Sequence, residues 1–270
     1  MEVLFLGTGA ADYSPRLKTD LKGRFDRDIR RSNAVLLDGH TLIDCGDWIL
    51  EELAIAGIAP QDIRQVLVSH SHNDHFRADH LCTLAAQAGH PITVYGSADT
   101  LRLLAERSQG LPGAEQLHPV RLQVLPMPQP VTFDGFTVTP LRSNHETEQP
   151  GEEALHFLVE KAGRTLFYGT DGAWLPTATG KYLYGRQLNC YLFDATCGDY
   201  ENEYRIFEHN TLPMIRLMLT VLRQQNAFAP DAQLYLVHLA PSLHKSHAET
   251  AALAARDGLL VAYDGLRITV

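Results

Sequence analysis

The chain has 270 residues, a formal charge of −9, 45% hydrophobic and 20% charged residues. A hydrophobic share close to the soluble average of about 45–50%, with 20 Gly and 14 Pro, excludes disorder, collagen and low-complexity polymers. The acidic balance argues against a strong nucleic-acid surface, because non-specific affinity for duplexes comes mainly from Lys and Arg neutralising phosphates. A run of about 18 apolar residues is missing, and Glu2 stands where a secretion signal requires basic residues. A cytoplasmic protein with no membrane partner is therefore expected. Cys45, Cys82, Cys190 and Cys197 form no CxxC pair and read as reduced, structural residues.

Val3 to Leu6, Ala34 to Leu37 and Thr41 to Ile43 read as short strands, the last two joined by an Asp38-Gly39 hairpin turn. Asp47 is placed to cap a helix over Trp48 to Ala56, which Gly57 ends and Pro60 follows. The apolar strand Ile63 to Val68 runs into Ser69-His70-Ser71-His72-Asn73-Asp74-His75. Leu81, Leu84, Ala85 and Ala88 predict a helix that Gly89 stops. Pro91 to Tyr95 reads as a strand, Ala98 to Arg107 as a helix and Val120 to Leu125 as a strand, before Pro126, Pro128 and Pro130 divide the chain near its middle.

Beyond that segment come strands at Phe136 to Leu141, Leu155 to Glu160, Thr165 to Tyr168 and Tyr191 to Asp194, then a helix from about Leu212 to Gln225. Strand Leu234 to Val237, helix His247 to Arg256 and the pair Leu259 to Tyr263 and Leu266 to Val270 close the order. Strands precede helices in both halves, which predicts two mixed sheets packed together with helices outside. The expectation is one domain over 1–270, with pseudo-halves of about 1–125 and 126–270.

The chemistry concentrates where Ile63 to Val68 ends. His70, His72, Asp74 and His75 are four ligand-type residues within six positions. Alternate residues of an extended segment face one way, so His70 and His72 can hold one ion while Asp74 and His75, past a turn, hold another. Imidazole nitrogen and carboxylate oxygen suit zinc, manganese or iron. Asp44 and Asp194, each at a strand end, are placed to orient ligand histidines. His244 and His247 read as surface or supporting groups, and His40, His80, His90, His118 and His156 carry no functional expectation. Gly7 and Gly9 lack phosphate-loop spacing and read as turn residues.

The HxHxDH run resembles the hallmark of the metallo-β-lactamase-fold hydrolases. The resemblance extends to Leu6-Gly7-Thr8-Gly9, Leu42-Ile43-Asp44-Cys45-Gly46, Ser143-Asn144-His145, Gly169-Thr170-Asp171 and Leu236-Val237-His238. It implies a four-layer αββα sandwich of α/β class. It also implies two divalent ions, zinc or manganese with iron compatible: one on His70, His72 and His145, the other on Asp74, His75 and His238, with Asp171 bridging. Two dications less two carboxylates and a bridging hydroxide leave a local charge of about +1, enough to draw an anionic diester to an acidic protein.

Glu208-His209-Asn210-Thr211 and Tyr263-Asp264-Gly265-Leu266-Arg267 resemble the phosphoribosyl cyclic phosphodiesterases of the carbon-phosphorus lyase pathway. That likeness implies hydroxide attack on a small phosphodiester, Asp74 in the catalytic set and His209 as general acid. Those enzymes commonly carry an extra structural zinc, but residues 10–31 here hold no Cys and position 241 is Pro241. In its place stand Arg16, Lys18, Lys22, Arg24, Arg27, Arg30 and Arg31 with Asp20, Asp26 and Asp28, either a solvated loop or a phosphate-binding lid. Lys181, Tyr182 and Tyr184 are a second candidate substrate wall. The alternatives are a transfer-RNA 3′ processing endonuclease, which shares HxHxDH and the LGTG opening, and a glyoxalase-type thioesterase or lactonase. A homodimer is left open.

Overall fold

The computed structural model describes residues 1–18, 23–117, 121–147 and 149–270. In β1 (Glu2–Gly7), Val3 and Phe5 join one buried cluster and Leu4 and Leu6 another, the period-two division of a strand buried on both faces. β2 (Ala34–Leu37), β3 (Thr41–Ile43), β4 (Gln65–Leu67), β5 (Thr93–Gly96) and β6 (Leu122–Val124) follow in the first half. β7 (Val131–Phe133), β8 (Phe136–Arg142), β9 (Leu155–Lys161), β10 (Arg164–Gly169), β11 (Leu188–Asp194), β12 (Phe228–Val237), β13 (Leu260–Val261) and β14 (Arg267–Thr269) complete the strands. They form two seven-stranded sheets, ordered β14-β1-β2-β3-β4-β5-β6 and β13-β12-β11-β10-β9-β8-β7.

Phe5, Leu37 and Leu67 of the first sheet share a core with Phe136, Phe157, Tyr168 and Val237 of the second. On the first sheet's outer face, Leu53 of α1 (Ile49–Ala56), Leu81 and Leu84 of α2 (Ala78–Ala88) and Leu104 of α3 (Ala98–Arg107) cover Leu36, Leu42 and Val66. A short α4 (Ala114–Leu117) adds Leu117 to that cluster. On the other side, α5 (Thr177–Leu183), α6 (Leu212–Gln224) and α7 (His247–Ala254) contribute Leu183, Ile215, Leu219, Leu222 and Ala254 over Phe167, Phe193 and Leu236. Each fully buried side chain of this size stabilises the fold by about 1.5–3 kcal/mol. The result is a four-layer αββα sandwich.

Four local expectations are corrected, and two elements are added. Leu259 to Tyr263 and Leu266 to Val270 do not pair: β13 adds to β12 in the second sheet, whereas β14 returns to β1 in the first. β12 begins at Phe228, six residues before the expected Leu234. β7 and α5 were not anticipated, since three residues give little alternation and Thr177-Ala178-Thr179-Gly180 is a poor helix former. Asp47 does not cap α1, whose N-cap is Trp48 with no side-chain bond, because its carboxylate accepts from Arg77 Nη1 at 2.7 Å. Arg256 lies in a 3₁₀ turn after α7. Val120, Asp20, Lys22 and His118 lie outside the described residues.

The topology sets where chemistry can occur. β3 and β4 are parallel, as are β10, β11 and β12. β8 runs the same way as β10, both being antiparallel to β9. Their C-terminal ends therefore share one edge of each sheet, and the segments that leave them meet there. Among the described residues, no helix is long and apolar enough to cross a membrane. All four cysteines are unpaired and buried.

Candidate functional site

The first sheet supplies one compact segment. Asp44, one residue past β3, has left-handed backbone (φ 67°) and is fully buried. Its Oδ1 accepts the Ser69 N–H at 2.8 Å, and its Oδ2 accepts the Ser69 hydroxyl at 3.0 Å and the Tyr168 hydroxyl at 2.7 Å. His75 Nδ1 lies 2.7 Å from the same Oδ2 and donates to it. One carboxylate thus grips both ends of the segment 69–75. A Cβ on Gly46 would lie 1.8 Å from the Asp74 carbonyl oxygen, so only glycine admits the loop this close.

The second sheet supplies single residues from separate strand ends. His145 follows β8, and its N–H donates to Ser143 Oγ at 3.1 Å. Asp171 follows β10, and its carbonyl accepts from Ser143 Oγ and from His156 Nε2, the latter at 3.0 Å. Asp194 ends β11, fully buried, with Oδ2 accepting the Gly172 N–H at 3.2 Å and Oδ1 accepting the Thr196 N–H at 2.9 Å. His238 follows β12 with φ 55°, and its Nδ1 sits 2.7 Å from Thr196 Oγ1. A left-handed backbone at a non-glycine residue costs about 1–3 kcal/mol and persists where the surroundings fix it.

These segments converge. His70 Nε2 and His145 Nε2 lie 3.2 and 3.0 Å from His72 Nδ1. His75 Nε2 and His238 Nε2 are 3.2 Å apart, and each lies 3.3 Å from Asp74 Oδ2. Asp171 reaches both sides, with Oδ2 at 3.8 Å from His70 and His145 and 3.3 Å from His75, and Oδ1 at 3.0 Å from His238. The ligand atoms fall into two groups, His70-His72-His145 and Asp74-His75-Asp171-His238, each within 4.8 Å.

The donor chemistry fits divalent ions. Ser69, Asp44 and Thr196 face the outer ring nitrogens of His70, His75 and His238, which assigns the inner nitrogens as lone-pair donors. A tetrahedral ion with ligands at about 2.0–2.1 Å spaces those ligands about 3.3 Å apart, and the observed separations bracket that value. Asp171 Oδ1 is buried without a hydrogen-bond partner among the described residues.

Burial, reinforced by His75 and His145, pushes His70 well below its usual pKa, and burial takes His145 down to about 4. Burial opposes ionisation of Asp171, but His238 and His75 outweigh it and hold the carboxyl well below its usual range. Burial likewise opposes charge on His238, but Asp171 and Asp74 raise it to about 10, so a cation held there would displace a proton.

Above the cluster lies a cavity of about 360 Å³ lined by Ala10, Ala11, Asp12, His72, Asp74, His145, Asp171, Thr196, Arg205, Glu208, His209 and His238. His209 Nδ1 lies 2.8 Å from Asp194 Oδ2, and its ring stacks on His238 with centroids 5.4 Å apart. Burial lowers its pKa, but Asp194 more than compensates and leaves it raised.

Several expected residues stand elsewhere. Arg30 is buried and donates from Nη1 to Thr8 Oγ1 and the Ala262 carbonyl, both at 2.6 Å. Arg31 is buried and donates from Nη2 to Glu51 at 2.8 Å, so neither arginine lines the cavity. Lys181, Tyr182 and Tyr184 belong to α5 and its C-cap and do not line it either. His244 Nε2 donates to the Ala195 carbonyl, 2.7 Å away.

Sequence reasoning missed His156, whose bond to the Asp171 carbonyl leaves no local pattern. It also missed Thr196, Tyr168 and Arg205. Ser71 Oγ and Thr100 Oγ1 both donate to Glu152, at 2.5 and 2.6 Å, tying segment 149–154 to the histidine loop.

A family model described as a beta-lactamase superfamily domain matches residues 40–239. Ribonuclease Z of Pyrococcus abyssi is 32% identical over 77 residues, which are 28% of this chain and 22% of that protein. Zinc phosphodiesterase ELAC protein 1 of Homo sapiens is 34% identical over 106 residues, 36% of this chain and 26% of that protein. The matched stretches therefore span about a quarter of those relatives. A crystal structure of a diphosphatase from the PhnP family superposes with a TM-score of 0.73 at 21% identity, covering 100% of this chain and 97% of the other, a likeness of fold.

Proposed function

The chain belongs to the beta-lactamase superfamily, and on that premise we propose that it is a dinuclear metal-dependent phosphodiesterase acting on a small, cyclic or open, diester. One observation carries the reading: five imidazole nitrogens and two carboxylates converge on the floor of an open cavity, with His209 beside them on a carboxylate of its own. The names of the curated relatives, a ribonuclease and a zinc phosphodiesterase, support a phosphoester over a carbonyl substrate.

One ion is assigned to His70, His72 and His145, the second to Asp74, His75 and His238, and Asp171 to both. Zinc and manganese suit these ligands, and iron is compatible. Bound there, such ions polarise a phosphoryl oxygen and make water nucleophilic near neutral pH. Asp74 accepts a hydrogen bond from the attacking water and orients it. Asp194 accepts a hydrogen bond from Nδ1–H of His209 and holds the ring protonated, which leaves Nε2–H to pass its proton to the departing oxygen. Thr196 bonds both His238 and His209 and so fixes the donor relative to the ligand set. Residues 1–270 act as one hydrolase unit, because the two sheets share a core. The four buried, unpaired cysteines agree with work in the cytoplasm.

Purified protein is expected to hold close to two ions by elemental analysis and to hydrolyse bis(p-nitrophenyl) phosphate. Failure of the fully metallated protein on every member of a diester panel overturns the assignment. A thioester assayed beside the diester separates out a glyoxalase-type hydrolase. The ribonuclease name among the relatives favours a second reading, 3′ processing of transfer-RNA precursor. The −9 charge opposes it, and a gel shift with cleavage of precursor decides.

A further inference from the structure

The exposed large aromatic side chains, Trp174, Tyr184, Tyr200, Tyr204 and Phe207, all lie between residues 174 and 207. Tyr204 and Phe207 are the most open, each 79% exposed, and they bound a single 3₁₀ turn, Tyr204–Phe207. Scattered exposed apolar residues are ordinary, but these two bracket a residue that lines the cavity above the ligand cluster. Between them Arg205 lines that cavity, and it is the one Lys or Arg among the described residues that does.

The turn is built into the site. The N–H of His209 donates to the Arg205 carbonyl at 2.9 Å. Asn144, next to His145, donates to the Phe207 carbonyl at 3.3 Å and accepts the Ala173 N–H at 2.9 Å. The Arg205 guanidinium carbon lies 5.5 Å from the Tyr204 ring centroid, so that ring sits beside the one arginine that lines the cavity. Arg205 Nε donates to Glu203 at 2.9 Å, and its two terminal nitrogens have no hydrogen-bond partner among the described residues. The side chain is thus aimed and still has its paired donors to offer.

We infer that the 203–208 turn reads the substrate: Arg205 takes a phosphoryl oxygen, while Tyr204 and Phe207 pack against a flat unsaturated ring carried by the same ester. The inference rests on the phosphodiesterase reading and narrows it to ring-bearing phosphoesters. A cavity of about 360 Å³ has room for more than a phosphoryl group. The charge pattern selects the occupant. Arg205 is the only Lys or Arg among the described residues lining the cavity, so beside the proposed ions it holds an anionic head, and Tyr204 and Phe207, which bracket it, meet the ester group bonded to that head. A ring stacks on aromatic faces and on a guanidinium plane, and an alkyl chain gains much less.

The test measures affinities of phenyl phosphate and methyl phosphate for manganese-loaded protein by calorimetry. Phenyl phosphate is expected to bind at least about fivefold tighter, the lower end of what a stacked ring supplies. In the Tyr204→Ala/Phe207→Ala protein the ratio should collapse towards one. Arg205→Ala should weaken both ligands by about tenfold to a hundredfold, the range for a hydrogen bond to a charged group. These side chains are exposed or half-buried, so folding is not at stake.

An unchanged ratio in the double variant overturns the inference. So does a change in sedimentation coefficient without a change in ratio, which would make the aromatics an interface between copies. Hydrolysis of bis(p-nitrophenyl) phosphate is scored separately. Turnover without a phenyl preference removes the ring reading alone, whereas the preference and its loss without turnover on any diester remove the phosphodiesterase reading and leave the ring site standing.

Discussion

Asp44 and Asp194 are fully buried carboxylates at equivalent places, the ends of β3 and β11, yet they organise their sheets differently. Asp44 binds one short segment at two points, Ser69 and His75, so four ligand-type residues move as a unit. Asp194 reaches four backbone or ring nitrogens on three separate stretches, at Gly172, Thr196, His209 and Asn210. The first is a clamp on the proposed ligands, and the second is a hub that sets the proposed proton donor against them. A compact clamp concentrates stability and metal affinity, while a distributed hub concentrates rate.

The largest expected effect tests that division directly. Asp44→Ala leaves the Ser69 N–H, the Tyr168 hydroxyl and the His75 ring without their acceptor. It should cost about 3–5 kcal/mol by denaturant unfolding and strip metal. Asp194→Asn keeps the shape and one acceptor, but its amide NH2 faces two buried N–H donors, so it should cost about 1–3 kcal/mol of stability with metal content near wild type, while kcat on a diester falls. If both variants lose metal equally, the contrast between clamp and hub is wrong.

His209→Ala isolates the hub's output. Removing a positioned general acid costs about 10²–10⁴ in kcat, with metal content unchanged. A leaving group of low pKa, such as p-nitrophenolate, needs little protonation, so the loss should be greater on an alkyl ester. Equal losses on both esters contradict the proton-donor role. Thr196→Val comes next, because it removes the hydroxyl 2.7 Å from His238 Nδ1. Loss of such a supporting bond typically lowers metal affinity by about 10–100-fold, readable by competition with a chelator.

The same asymmetry governed what the sequence disclosed. His70, His72, Asp74 and His75 were legible because the clamp's ligands are neighbours in the chain. His145, Asp171 and His238 stood out only as members of an ordered set of strand ends, since each hangs from a different strand. His156 was illegible: its contribution is one bond to the Asp171 carbonyl, made across the sheet from β9. Arg30 and Arg31 read as part of a solvated loop or a phosphate-binding lid, yet acceptors distant in sequence, Thr8 and Ala262 for the Arg30 guanidinium and Glu51 for that of Arg31, bury them. The β13–β14 pairing failed for the same reason, because the choice of sheet is made by partners more than twenty residues away in one case and over two hundred in the other.

Tyr168→Phe carries the smallest expected effect and the finest distinction. Tyr168 stands on β10, in the second sheet, and its hydroxyl crosses to donate to Asp44 Oδ2 at 2.7 Å while accepting from Asn33 Nδ2 at 2.7 Å. It is therefore a direct bond between the clamp and the sheet that carries the hub. Without it, Oδ2 still has Ser69 and His75, and Asn33 Nδ2 still reaches Thr170 Oγ1 at 3.0 Å. No group is left wholly unpartnered, so the loss should be about 0.5–1.5 kcal/mol, the net value of one hydrogen bond. If the clamp works alone, metal content and kcat stay within about twofold of wild type. If the sheets are instead coupled through Tyr168, the Tyr168→Phe/Thr196→Val double variant should lose more metal affinity than the two single losses combined, and a chelator competition on the four proteins reads that excess.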